Sequence, residues 1–299
     1  MNLQNILTQL EKVDPEVYDR LDTRRSAMQR FATIGKVAAA AALPFAFGSM
    51  FKKAYGQTPA DVLDVLAFAL TLEYLESEFY IQAVSSAAAA SAPAADRAAL
   101  MVIRDHEAAH VAFLRAAITA SGGTPVTMTA ASFDFSGGSA AGGTPGAGPF
   151  AAAFTAYPVL LAVAQTFEDT GVRAYKGQAG RLINNNDVLT AALQIHSVEA
   201  RHAAKIRYMR RMLAPTNLVP AGTTLQPWIT LAQSGIATGN AGADAAIQKS
   251  YAGEEVVTQA TVGITAINGQ AVAANEASEA FDEPLTKAQI LDIVDPFIR

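Results

Sequence analysis

Two glutamates each stand three residues before a histidine, Glu107 before His110 and Glu199 before His202, and each pair follows a lone glutamate in an apolar stretch, Glu73 and Glu168. On a helix, an acid and an imidazole three apart are offset by about 60° around the axis and about 4.5 Å along it, so both can reach one metal ion. The order Glu, Glu-x-x-His, Glu, Glu-x-x-His is the ligand set of a dinuclear metal centre inside a four-helix bundle. It makes Glu73 and Glu168 terminal carboxylates, Glu107 and Glu199 bridging carboxylates, and His110 and His202 imidazole ligands. Two divalent ions would cancel the four negative charges; without them the cluster is a costly defect in an apolar core. Oxygen and imidazole donors suit two iron or manganese ions, and zinc would also bind. A bridged pair of redox-active ions opens chemistry with oxygen or peroxide in which each metal changes oxidation state by one. The bland alternative places both Glu-x-x-His pairs on solvated helix faces. The apolar neighbours Val111, Leu114, Ile195 and Ile206 speak against it.

Other residues compete for places around this set. Glu76, one turn from Glu73, lies 31 residues before Glu107, the interval that separates Glu168 from Glu199. Glu73 is preferred because it precedes Tyr80 by seven residues, as Glu168 precedes Tyr175; Glu76 is then a neighbour of the ligands. Two turns, about 10.5 Å, separate each tyrosine from its own glutamate, so a tyrosine reaches a ligand only across an antiparallel pair. The alternative is that both are buried tyrosines with satisfied hydroxyls. His196, three before Glu199, lines the rim of the site or serves as a helix-surface or core histidine. His106, next to Glu107, is expected to point elsewhere.

These residues need four helices to position them. Thr58 and Pro59 read as N-cap and N1 of the first, over about residues 59–88, apolar on nearly every face and therefore central. A break at Ser91 to Pro93 separates it from a second helix, about 94–120, ended by Gly122 and Gly123, and the short connection makes the two an antiparallel hairpin. Residues 122–149 hold eight glycines among Ser, Thr, Ala and Pro and predict a long loop, which Phe133, Asp134 and Phe135 can pin to the bundle. A third helix, starting or kinked at Pro158, runs to about Lys176, and a fourth spans about 187–212. Two hairpins, each carrying a lone glutamate and a Glu-x-x-His, read as copies of one unit related by a pseudo-twofold axis.

With 299 residues, 51% hydrophobic and 16% charged, the chain can bury one substantial core plus an appendage. It contains no cysteine, which excludes disulfides, thiolate metal sites and cysteine nucleophiles. The net charge is -5, and the acidic body without a basic stripe argues against nucleic acid as a partner. Residues 1–56 differ from the rest. Arg24 and Arg25, followed by the apolar run Val37 to Met50 and by Lys52 and Lys53, resemble a twin-arginine export leader, although Ala27 stands where such leaders usually have Phe. Cleavage near Ala54 to Gly56 would start the mature chain at about Gln57 and place it outside the cytoplasm, in the periplasm. The apolar run is too short for an ordinary membrane span; the competing reading is an amphipathic helix packed on the mature protein. The bundle then occupies 57–213, and 214–299 form a turn-rich extension. There Thr286 to Gln289 is a capping box opening a helix with Ile290, Ile293, Val294 and Phe297 on one face. That face packs on the bundle or on a second subunit of a homo-oligomer.

The stretches Leu72 to Tyr80 (LEYLESEFY), Glu107 to Leu114 (EAAHVAFL), Glu168 to Tyr175 (EDTGVRAY) and Glu199 to Arg207 (EARHAAKIR) resemble the ferritin-like domain family that includes plant and bacterial desiccation-related proteins. Tyr251 to Glu255 (YAGEE) and Glu279 to Thr286 (EAFDEPLT) resemble the C-terminal region of those proteins. The resemblance implies an all-α ferritin-like four-helix bundle, with two hairpins joined by a long crossover, and a di-metal oxidoreductase of ferroxidase, peroxidase or catalase type. A non-catalytic stress or structural protein held together by its metals is the alternative. An iron-storage cage ranks last, because the leader, the long crossover and the extension all depart from storage ferritins.

Overall fold

The computed structural model describes residues 59–139, 143–213, 218–267 and 269–299; the leader and the Thr58 cap lie outside them. Four long helices dominate: α1 (Pro59–Val84), α2 (Ala94–Ala120), α3 (Tyr157–Ala179) and α4 (Asn186–Leu213). The extension carries α5 (Ala241–Lys249), α6 (Ala274–Ser278) and α7 (Lys287–Val294), together with two short antiparallel ribbons pairing 258–259 with 262–263 and 266–267 with 270–271.

Sequence periodicity explains which faces meet. α2 buries Leu100, Ile103, Glu107, His110, Leu114, Ala117 and Ile118, a single stripe at helical spacing in which the Glu-x-x-His pair sits among apolar residues. α4 does the same with Val188, Ala191, Ile195, Glu199, His202 and Ile206. α1 and α3 are buried around most of their circumference and form the centre of the bundle. Helix α1 packs chiefly on α2 and α3 chiefly on α4, and the two hairpins meet through α1 and α3. Direction follows from the helix ends. A methyl group at Gly123, just beyond α2, would come within 2.6 Å of Leu63 near the start of α1, and Arg181, just beyond α3, donates to Asp64 at 2.8 Å.

One boundary differs from expectation, and at another the structure decides between two alternatives. The first helix ends at Val84, because Ser86 caps a separate turn, Ala87–Ala90, by accepting the Ala89 N–H. The third begins at Tyr157 with Pro158 in its first turn, so the proline starts the helix and does not kink it. The glycine-rich crossover is pinned where expected: Phe133 and Phe135 are buried, and Asp134 accepts from the backbone of Ser136 and Gly146. Its backbone also pairs with the C-terminus, Phe133 bridging Ile298.

The extension packs on its own bundle. Helix α7 buries Ile290, Ile293 and Val294, and Phe297 behind it meets Phe167 of α3 edge-on with centroids 4.9 Å apart. Among the described residues, no helix is long and apolar enough to cross a membrane.

Candidate metal centre

Each bundle helix delivers its share of one buried cluster: Glu73 from α1, Glu107 and His110 from α2, Glu168 from α3, Glu199 and His202 from α4. All four glutamates are fully buried, and the two histidines nearly so. His110 Nδ1 lies 3.1 Å from Glu73 Oε2, 3.2 Å from Glu107 Oε2 and 3.0 Å from Glu199 Oε1. His202 Nδ1 lies 2.9 Å from Glu107 Oε1, 3.3 Å from Glu168 Oε2 and 3.5 Å from Glu199 Oε2. Glu107 and Glu199 thus turn one oxygen to each histidine, and they belong to both of two groups able to hold an ion. One group is Glu73, Glu107, His110 and Glu199; the other is Glu107, Glu168, Glu199 and His202, with donor atoms within 4.8 Å of one another in each.

The donor set fits a metal on a further ground. Glu107 Oε1, Glu168 Oε2, both Glu199 oxygens and His202 Nδ1 are buried without a hydrogen bond. Orphaned polar atoms cost about 1–3 kcal/mol each, and here their close approaches are to one another. A cation among them would meet lone pairs that the neighbouring imidazoles approach but do not align with.

Charge inside the cluster is finely divided. Burial, and next the neighbouring Glu199, holds the Glu73 carboxyl well above its usual range. Burial likewise raises Glu168 and Glu76. For Glu199 burial pushes upward, but the imidazoles of His110 and His202 outweigh it and pull the group down to about 2. Burial alone would lower His202, yet Glu168 and the other carboxylates drive it up to about 12. Protons therefore balance the metal-free cluster, and an arriving cation must displace them.

A model of the ferritin-like domain matches residues 61–211, spanning all four long helices and the crossover. This chain belongs to the ferritin-like domain family. Neither a curated protein nor a solved structure matches it.

Around the cluster, the tyrosines cross over. The Tyr80 hydroxyl on α1 donates to Glu168 Oε1 of α3 at 2.5 Å, and the Tyr175 hydroxyl on α3 donates to Glu73 Oε1 of α1. Each half thus orients the lone glutamate of the other. Glu76 is buried beside the cluster but belongs to neither ion-holding group; its Oε1 sits against Gly171, where an added Cβ would come within 3.0 Å.

Two further histidines flank the cluster, and one of them departs from expectation. His196 takes the second of its two expected roles: its Nδ1 lies 3.0 Å from the Val172 carbonyl oxygen, so it serves the packing of α4 on α3. His106 does not point away. Its Nδ1 stands 2.9 Å from His202 Nε2, with the rings stacked at 5.2 Å, because α4 lies across from α2 at that level.

Sequence reasoning missed a second buried polar system on the far side of α3. Arg173 Nε lies 2.6 Å from Glu254 Oε1, and the guanidinium donates to the carbonyls of Ser250, Ala252 and Glu283. Asp169 pairs with Arg207 and accepts the Tyr251 hydroxyl at 2.6 Å. Arg210 donates to the Gly235 carbonyl at 2.9 Å. Burial, against the pull of Arg173, pushes Glu254 up to about 7. The signal lay in the quoted stretches themselves: YAGEE contributes Tyr251 and Glu254, EDTGVRAY Asp169 and Arg173, EARHAAKIR Arg207 and EAFDEPLT Glu283.

Proposed function

We propose that this chain is an exported ferritin-like protein whose bundle holds a carboxylate-bridged dinuclear iron or manganese centre, and that it consumes ferrous iron, oxygen or peroxide in protection against oxidative or drying stress. The observation that carries the reading is the sharing of Glu107 and Glu199 between two ion-holding groups. Glu73 and His110 would complete one ion's ligands, and Glu168 and His202 those of the other. When bound, such a pair of ions supplies one electron change per metal to a small oxidant. The chain's own residues bury the centre, Tyr80 and Tyr175 hold the terminal carboxylates in orientation, and the apolar faces of α1 and α3 exclude bulk water.

Metal analysis of purified protein should give close to two iron or manganese ions per chain, lost in a Glu107→Ala, Glu199→Ala double variant. Metal-free wild-type protein that melts no differently after adding either ion would overturn the proposal. The complete burial of the four glutamates favours a second reading, in which the ions only hold the bundle together. Chelation would then lower the melting temperature while neither oxygen nor peroxide is consumed, and measurable turnover would rule this reading out.

Export rests on the sequence of residues 1–56, and kinship with the desiccation-related branch rests on the stretches that resemble it. Replacing Arg24 and Arg25 by lysine should trap the protein in the cytoplasm of a bacterial host, as cell fractionation would reveal; unchanged export of the double variant would remove the leader from the proposal.

A further inference from the structure

The two halves of the cluster match in their glutamates and tyrosines, but one imidazole has a partner that the other lacks. His202 Nε2 faces His106 Nδ1 at 2.9 Å, the rings lying within 18° of parallel. Among the described residues no hydrogen bond is made to His110 Nε2, whose ring meets the cluster through Nδ1 alone. The sequence repeat shows why. His106 immediately precedes Glu107, whereas the corresponding position before Glu199 is Val198. His106 is exposed and lies over a ring that is itself only 4% exposed.

A neutral imidazole has one N–H and one lone pair. For His202 to turn its Nδ1 lone pair toward the carboxylates and a shared ion, its proton must sit on Nε2. His106 Nδ1 is then the acceptor, and the proton of His106 sits on its own Nε2. Partners of this kind fix the ring and tautomer of a ligating histidine and raise its basicity.

Building on the dinuclear centre proposed above, we infer that His106 is a positioning residue that locks His202 in the tautomer presenting Nδ1 to the metal, and so makes the ion held by Glu168 and His202 the tighter of the two. The two ion sites are therefore unequal despite the internal repeat.

The test is a cobalt(II) titration of the full chain, followed optically and by calorimetry. Wild-type protein should bind two ions in distinguishable steps. His106→Ala should weaken the first step by about 10- to 100-fold and leave the second within a few-fold, while His106→Asn, whose side-chain oxygen can take the place of Nδ1, should restore most of the loss. A second readout is independent of affinity: proton–nitrogen correlation spectra of the zinc(II)-loaded wild type should show His202 protonated on Nε2, with that proton exchanging faster with water in His106→Ala. His106 is exposed on a helix and alanine favours helix, so the variant should fold. Two ions bound to wild type with both steps equally affected or unaffected in His106→Ala, or a His202 protonated on Nδ1, would overturn the role of His106 while leaving the dinuclear centre intact. A wild type that takes up no cobalt would overturn both.

Discussion

Glu76 lies buried beside the cluster without belonging to either group able to hold an ion. It is a fifth buried carboxyl beside four others, and burial, then the charge of Glu199, raises its affinity for a proton well above the ordinary value of 4.5. In the unfolded chain it ionises near about 4.5. Between that pH and neutrality the folded state holds a proton the unfolded state has lost, so stability falls as pH rises, by about 1.4 kcal/mol per pH unit for one group. Glu73 and Glu168 add slopes of the same sign. Urea denaturation of metal-free protein should therefore show stability dropping from pH 5 to pH 7, and Glu76→Gln should remove about one proton's worth of that slope without changing the number of ions bound. An unchanged slope would place the Glu76 proton elsewhere. At this scale much was legible. That Glu73, Glu107, His110, Glu168, Glu199 and His202 gather in one cluster followed from spacing, since i, i+3 and i, i+7 positions on one helix share a face whatever surrounds it. The His106 contact was not, because it depends on how α2 and α4 lie against each other.

Helix α3 shows what an element must do to serve both a metal cluster and an extension. One face carries Glu168 and Tyr175 into the bundle, and the other meets residues 282–285. There Gly177 allows an approach that no side chain permits: a Cβ would lie 1.9 Å from the Leu285 carbonyl oxygen. The Leu285 N–H in turn donates to the Arg173 carbonyl. Gly177→Ala should cost about 1–3 kcal/mol, the usual range for overpacking, and Gly180→Ala, which would meet nothing within 4 Å, should be close to neutral. Thermal melts of the two variants decide it; equal melting temperatures would mean that the extension does not rest on α3 in solution. The helices themselves were readable from apolar periodicity, caps and the proline at the start of α3. The glycine was not, since a helical glycine has no distinguishing signal until the backbone it faces is known.

At the scale of the whole molecule, the bundle is incomplete without its C-terminal third. Arg173 and Arg210 are buried, and acceptors for both come from residues 218–283: Glu254 and the Ser250, Ala252 and Glu283 carbonyls for Arg173, and the Leu218 and Gly235 carbonyls for Arg210. Removing those acceptors would leave charges in an apolar setting, at several kcal/mol for each uncompensated charge. A chain ending at residue 213 should accordingly lose cooperative melting by circular dichroism, and a truncated protein that melts as sharply as the full chain would show the extension to be an accessory. The sequence by itself determined which carboxylates and imidazoles gather, the four helices, the crossover and the pairing of halves, because these depend on local spacing and on charge that an apolar core cannot hold unpaired. Only the tertiary structure decided that the extension closes on its own bundle, that the tyrosines serve opposite halves, and that His106 backs His202. Such contacts are set by the rotation and offset of one helix against another, and that geometry is a property of the packed core, absent from the pattern of any single segment.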